Sequence, residues 1–147
     1  MSIKRFMTPD PVVVGMDDSL ARLRDIFERH QFHHVLVVEG HKLVGVVSDR
    51  DYLKAISPNI GKEIATEKEL ATLNKRVHQI MTHKPIVVYA NDSIQKAING
   101  FREHNISCLP VLDASERVVG ILSWRNLLSA MRVTSARKSA QSMKQHE

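Results

Sequence analysis

The strongest constraint on this chain is that it says the same thing twice. Met7-Thr8-Pro9-Asp10-Pro11-Val12-Val13-Val14 returns as Met81-Thr82-His83-Lys84-Pro85-Ile86-Val87-Val88, an offset of 74 residues. Gly45-Val46-Val47-Ser48-Asp49-Arg50-Asp51 returns as Gly120-Ile121-Leu122-Ser123-Trp124-Arg125-Asn126, an offset of 75, so one residue is inserted between the two motifs. A duplicated unit implies a pseudo-symmetric body with a cleft between its halves. Each repeat is about fifty residues, a size at which an isolated core is marginal, so the halves are expected to share an interface.

Each repeat reads strand, helix, strand, strand, helix. In the first, the β-branched run Pro11 to Val14 predicts a strand. Asp17, Asp18 and Ser19 offer acceptors for a helix start, and Leu20, Leu23, Ile26 and Phe27 form a helical apolar stripe. The second repeat has Asp92 at the same start and Ile94, Ala97, Ile98 and Phe101 on the same stripe. Val35 to Val38 and Leu43 to Val47 predict a hairpin around Gly40; Leu109 to Leu112 and Val118 to Leu122 predict its partner, with the inserted residue in the turn. Such continuous apolar strands imply burial on both faces. Closing helices are expected from Ser48 or Asp49 to about Ile56, and from Trp124 to about Met131. Between the repeats, charged residues alternate around Ile64, Leu70, Leu73 and Val77, the pattern of an amphipathic connecting helix. The expected organisation is a lead-in at 1–6, a first unit at 7–57, a helical linker at 58–77, a second unit at 78–132 and a basic, disordered tail at 133–147.

Composition narrows the function classes. The chain has 147 residues, 43% hydrophobic and 25% charged, with no run of 18 apolar residues that would predict a transmembrane helix. The N-terminus lacks the apolar stretch of a signal peptide, and a single cysteine, Cys108, excludes an intramolecular disulfide; both favour the cytoplasm. Part of the net charge of +5 lies in Arg132, Arg137, Lys138 and Lys144. No aromatic residues interleave with these charges, which disfavours nucleic acid as a partner.

The sharpest motif is Gly-apolar-apolar-Ser-x-Arg-Asp. A strand ending at Ser48 and a helix beginning there present unpaired backbone N–H groups, which attract anions. Ser48 adds a hydroxyl and Arg50 a forked cation, both suited to phosphate. Asp51, one turn in, can accept both hydroxyls of a ribose. The same Ser-x-x-Asp spacing equally describes a capping box, in which the two side chains satisfy only their own helix.

Duplication, βαββα order, the Met-Thr-x-x-Pro opening and the Gly-apolar-apolar-Ser-x-x-Asp turn together resemble CBS domains, two of which form a Bateman module. The resemblance covers residues 7–57 and 78–132, and the layout is similar to stand-alone bacterial CBS-pair proteins, including the acetoin-utilisation B type. It implies an α+β fold of two tandem βαββα units packed with pseudo-two-fold symmetry and joined by a helical linker. It also implies binding of AMP, ADP or ATP in clefts between the repeats, with S-adenosylmethionine a further candidate and no metal required. Carried over, Ser48 and Arg50 fall on phosphate contacts and Asp51 on the ribose acid. Val12, Ile86, Phe32 and Ile106 would line the adenine slot. His33 and His34 would face the phosphates, with Ser107 and Cys108 as their counterparts. Ser123, Arg125 and Asn126 repeat the turn, but Asn126 replaces Asp51 and Trp124 replaces Asp49, so two unequal sites are expected, the Asp51 site tighter.

The resulting expectation is a non-catalytic sensor of adenosine nucleotides, acting on an unidentified regulated protein. CBS pairs usually dimerise, and Leu53, Leu127, Leu128 and Met131 of the closing helices are the expected homodimer seam. Two other readings stand beside it: a structural interaction module with degenerate sites, and a nucleic-acid-associated regulator using the tail. Eight histidines invite a metal reading, but adjacent His33 and His34 diverge on a strand and no Cys pair accompanies them. Cys108, at a strand start, reads as a small buried thiol and not a nucleophile. Met7 and Met81 are expected to pack at the opening strands.

Overall fold

The computed structural model describes residues 1–129 and 131. The expected basic tail lies outside the described residues. The fold is α+β, and the chain divides into two compact units. The first is continuous, Pro11–Pro85; the second combines Met1–Asp10 with the chain from Ile86 onward.

The first unit holds a four-stranded sheet in the order β2-β3-β4-β5. β2 (Val13–Val14) runs parallel to β3 (His34–Glu39), which pairs antiparallel with β4 (Lys42–Ser48), and β4 pairs antiparallel with β5 (Thr82–His83). Helix α1 (Leu20–Arg29) bridges β2 and β3. Ser19 caps it by accepting the Arg22 N–H, and Asp18 instead accepts the Gly15 N–H at 2.7 Å. The stripe reads as expected: Leu20 and Leu23 are fully buried with Val14, Val35, Val37 and Val47, and Ile26 and Phe27 pack at the margin. Gly40 turns the hairpin at φ +63°, a conformation that glycine adopts without strain. Helix α2 (Asp49–Ala55) closes the unit.

The second unit repeats the plan. Its sheet order is β1-β8-β7-β6, from β1 (Thr8–Pro9), β6 (Val88–Tyr89), β7 (Cys108–Leu112) and β8 (Val118–Ser123). Helix α4 (Ile94–His104) buries Ala97 and Phe101. β7 is buried along its whole length, as a strand covered on both faces should be. Residues 124–129 and 131 are helical.

One feature of the plan was not apparent in the sequence. The Met-Thr segment that opens the first repeat pairs with β8 of the second unit, and the one that opens the second repeat pairs with β4 of the first. The glycines of the two Gly-apolar-apolar-Ser motifs permit this. A Cβ on Gly45 would lie 2.6 Å from Met81 Sδ and 2.9 Å from the Thr82 carbonyl oxygen. A Cβ on Gly120 would collide with Met7 Sδ and lie 3.0 Å from the Thr8 carbonyl oxygen. A strand glycine here marks where another backbone comes close. The methionines pack at these strands, as expected, but each on the other repeat's glycine.

The connecting segment is helical in short pieces and not as one helix: α3 (Glu67–Leu70), then 3-10 turns at Ala71–Asn74 and Val77–Gln79. Gly61 at φ +86° and the Thr66 cap on the Glu69 N–H delay the start of helix, and the extended Lys75 ends it. The segment is fastened to the end of α2. Ser57 N–H donates to Thr72 Oγ1 at 3.2 Å, Ser57 Oγ donates to Glu69 Oε2 at 3.2 Å, and Lys75 Nζ donates to the Ala55 carbonyl at 3.1 Å.

Candidate functional site

In the first unit the strand-to-helix turn is built as a closed ring of two hydrogen bonds. Ser48 leaves β4 extended, at φ −92° and ψ 161°, and caps α2. Ser48 Oγ accepts the Asp51 N–H at 3.0 Å, and Asp51 Oδ2 accepts the Ser48 N–H at 3.0 Å. The capping box is therefore formed. It leaves two groups over: the Ser48 hydroxyl proton and Asp51 Oδ1, which takes no hydrogen bond among the described residues. Capping and ligand binding are compatible at this turn, because capping engages only one of the two carboxylate oxygens.

The surrounding charges come from α2 and β3. His34 lies opposite Ser48 in the β3–β4 register. Its pKa is held below the usual histidine value, chiefly because burial penalises the cation; His33 acts in the same direction, and Asp49 and Asp51 oppose it. The adjacent His33 is exposed, and its Nδ1 lies 2.8 Å from Asp49 Oδ2. Its carbonyl accepts the Asp49 N–H at 2.9 Å. His33 and Asp49 thus hold the first residue of α2 to the start of β3, a pairing that spacing alone does not reveal. Arg50 is exposed, and among the described residues it makes no ion pair. Phe32 is half-buried against the first core, with the His30 ring stacked on it at 4.9 Å between centroids. Val12 is half-buried in the same unit. The first unit therefore carries Val12, Phe32, His33, His34, Ser48, Arg50 and Asp51; of these the structure brings Ser48 onto Asp51, His34 opposite Ser48 and His33 onto the neighbouring Asp49.

The second unit carries Ile86, Ile106, Ser107, Ser123, Arg125 and Asn126, and its turn is wired differently. Asn126 Oδ1 accepts both the Ser123 N–H at 2.8 Å and the Ser123 hydroxyl at 3.0 Å. Asn126 Nδ2 donates to Thr8 Oγ1 at 3.3 Å. Trp124, in place of Asp49, stacks on Phe101 at 4.8 Å. Ile106 packs half-buried against the second core, whereas Ile86 is 41% exposed. Cys108 is buried, which pushes its thiol up to about 12 and leaves it protonated and unreactive near neutral pH. Among the described residues, no three His, Cys, Asp or Glu side chains could share a metal ion.

Comparison with known proteins decides the family. The CBS domain profile matches residues 3–58 and again 77–133. The chain belongs to the CBS-domain family. Solved CBS-pair structures superpose on most of it. CBSX2, crystallised in complex with AMP, is 27% identical, with a TM-score of 0.72 over 90% of this chain and 98% of that one. AcuB from Vibrio cholerae shares the fold at 21% identity, with a TM-score of 0.75 over 95% of this chain and 96% of that one. Among curated relatives, a homoserine O-acetyltransferase of Methanococcus vannielii is 26% identical over 132 residues, which are 89% of this chain and 25% of that enzyme. The CBS pair thus spans about a quarter of the length of the first curated relatives it matches. CBS pairs are in general regulatory domains and not catalytic ones. No helix among the described residues is long and apolar enough to cross a membrane.

One expected dimer residue is corrected. Leu127 is only 4% exposed and belongs to the core of the second unit, so it cannot line a dimer seam. Its neighbours on the same helix, Leu128 and Met131, are 60% and 65% exposed, as is Leu53 of α2 at 63%.

Proposed function

We propose that this CBS pair is a non-catalytic regulatory module that binds an adenosine nucleotide at the Ser48–Asp51 turn. One observation carries the reading: among the described residues the capping box leaves Asp51 Oδ1 without a partner, in a unit that also carries Ser48, Arg50, His33 and His34 at or beside the turn. A carboxylate oxygen accepts ribose hydroxyls; a guanidinium, a hydroxyl and imidazoles suit phosphate. The AMP bound by the 27% identical CBSX2 supports the ligand class. Val12 and Phe32 supply apolar surface for the base, and Ile86 and Ile106 play that part in the second unit. Ser107, Ser123, Arg125 and Asn126 belong to a weaker second site. Nucleotide binding that differs between conformations of the module shifts their populations, and an unidentified protein in the cytoplasm reads that shift. The exposed Leu53, Leu128 and Met131 support self-association, which gel filtration against concentration tests.

A panel of AMP, ADP, ATP and S-adenosylmethionine, read as melting-temperature shift, tests the ligand class, since a ligand that binds only the folded state must stabilise it. AMP, ADP or ATP raising the melting temperature supports the proposal. No shift with any adenosine ligand supports the second reading, a structural module in which Ser48 and Asp51 only cap α2, and which the completed capping box favours. Salt-sensitive nucleic-acid binding, lost on removing residues 133–147, would support a regulator acting through the tail.

A further inference from the structure

We infer that Asp10 and Lys84 are two strained joints whose backbone differs between the conformations that a regulatory ligand selects. The inference rests on the proposed regulatory reading, and it holds for any ligand class.

The observation is a repeated outlier. Four of the described residues that are not glycine have positive φ. Two have local reasons. Asn105 ends α4 in the left-handed conformation that asparagine tolerates, and Glu116 closes the β7–β8 hairpin by donating its N–H to the Asp113 carbonyl at 3.0 Å. Asp10 and Lys84 have no such reason. Both sit at φ +48°, at matching positions of the two repeats, 74 residues apart. Each precedes a proline, Pro11 or Pro85, which presses the residue before it toward extended backbone at negative φ. Left-handed backbone also crowds Cβ against its own peptide. Asp and Lys share neither charge nor length. Both are exposed, and neither side chain makes a hydrogen bond or ion pair among the described residues. No side chain chooses this conformation; the fold imposes it twice.

The neighbouring strands show how. Asp10 follows Pro9, which pairs with Gly120, and Lys84 follows His83, which pairs with Gly45. The close approach of Met7 and Met81 to those glycines fixes the two strands. Within four residues the chain is paired again in the other sheet, through Val13 of β2 or Val88 of β6. The chain passes between the compact units twice, from Asp10 to Pro11 and from Pro85 to Ile86. Backbone strain imposed by pairing on both sides falls when φ moves to its ordinary negative range. Two such joints at the two crossings give the module a pair of backbone states for a ligand to choose between.

Substitutions that act on φ test this. Glycine removes the Cβ penalty at positive φ, and β-branched valine raises it. The double variants Asp10→Gly/Lys84→Gly, Asp10→Ala/Lys84→Ala and Asp10→Val/Lys84→Val all lose the same two opposite charges. Spin labels on Lys42→Cys and Ser115→Cys, exposed residues of the two hairpins, report distances by pulsed electron resonance in the full chain. Labelled chains are diluted with unlabelled ones, so that distances within one chain are read. Relative to the alanine pair, the glycine and valine pairs should shift the distance distribution in opposite directions. The glycine pair should melt above the valine pair by roughly 2–4 °C or more. Saturating AMP should move wild type toward one of those two distributions. Distributions that coincide in the three variants overturn the joints, and so does AMP binding that leaves the wild-type distribution unchanged. If AMP does not bind wild type, the nucleotide reading fails, while the distances in the three variants still decide the joints.

Discussion

At the scale of single residues, the two turns differ in how each polar atom is already used. Asp51 and Asn126 occupy matching positions and both bond to the preceding serine, yet one retains an acceptor and the other does not. The sequence made the substitution visible but not its wiring, in which Asn126 also reaches Thr8, 118 positions away along the chain. The His33–Asp49 pair was hidden for the same reason, since 16 residues separate the partners and only the β3–β4 register brings them together. His34 has a measurable consequence. Burial lowers its folded-state pKa from 6.5, so the folded protein binds fewer protons than the unfolded chain below that value. Its contribution is fully present above about pH 6.5 and is lost as the pH falls through the lowered folded value. Melting temperatures taken from pH 7.5 down to 5 should fall more steeply in wild type than in His34→Gln; parallel curves would remove His34 from the account.

At the scale of elements, the strands, the two long helices and both hairpins were legible because each has an unambiguous period and a turn or cap residue at its end. Leu20 and Leu23 or Ala97 and Phe101 face inward, as the stripes require. What was not legible lay in pieces too short to carry a period. The opening strands β1 and β5 are two residues each, and nothing in Met7-Thr8 says which glycine its side chain will cover. The last helix, read from Leu127, Leu128 and Met131, gave no way of telling the buried leucine from the exposed one. The glycine contacts give a direct test. Gly45→Ala places a methyl against Met81 Sδ and the Thr82 carbonyl, and should cost about 1–3 kcal/mol in chemical denaturation, typical of overpacking. Adding Met81→Ala should recover part of the Sδ clash but not the clash with backbone. A Gly45→Ala protein as stable as wild type would mean that β5 does not lie where it is described.

At the scale of the molecule, the duplication sets the plan, but the compact units do not begin where the repeated motifs do. One runs from Pro11 through Pro85 and so takes in the Met-Thr opening of the second repeat; the other takes in Met1–Asp10 and resumes at Ile86. Residues 11–85 carry a whole sheet and the core of Val14, Leu23, Val35, Val37, Val47, Val77 and Met81. Residues from 86 onward lack β1 and Ile3, which is fully buried in the other core. A fragment 11–85 should therefore show cooperative thermal unfolding, and a fragment 86–147 should not; the reverse result would contradict the division into units.

If Asp51 in the first unit holds an adenosine nucleotide, titration of AMP into wild type and Asp51→Ala must show it. Wild type should bind AMP saturably, and removing the carboxylate should cost at least tenfold in affinity, as expected for a charge-assisted hydrogen bond worth about 1.5–3 kcal/mol. Loss of the cap lowers stability as well, so both proteins are compared well below their melting temperatures. Equal AMP affinity in the two proteins would contradict the claim.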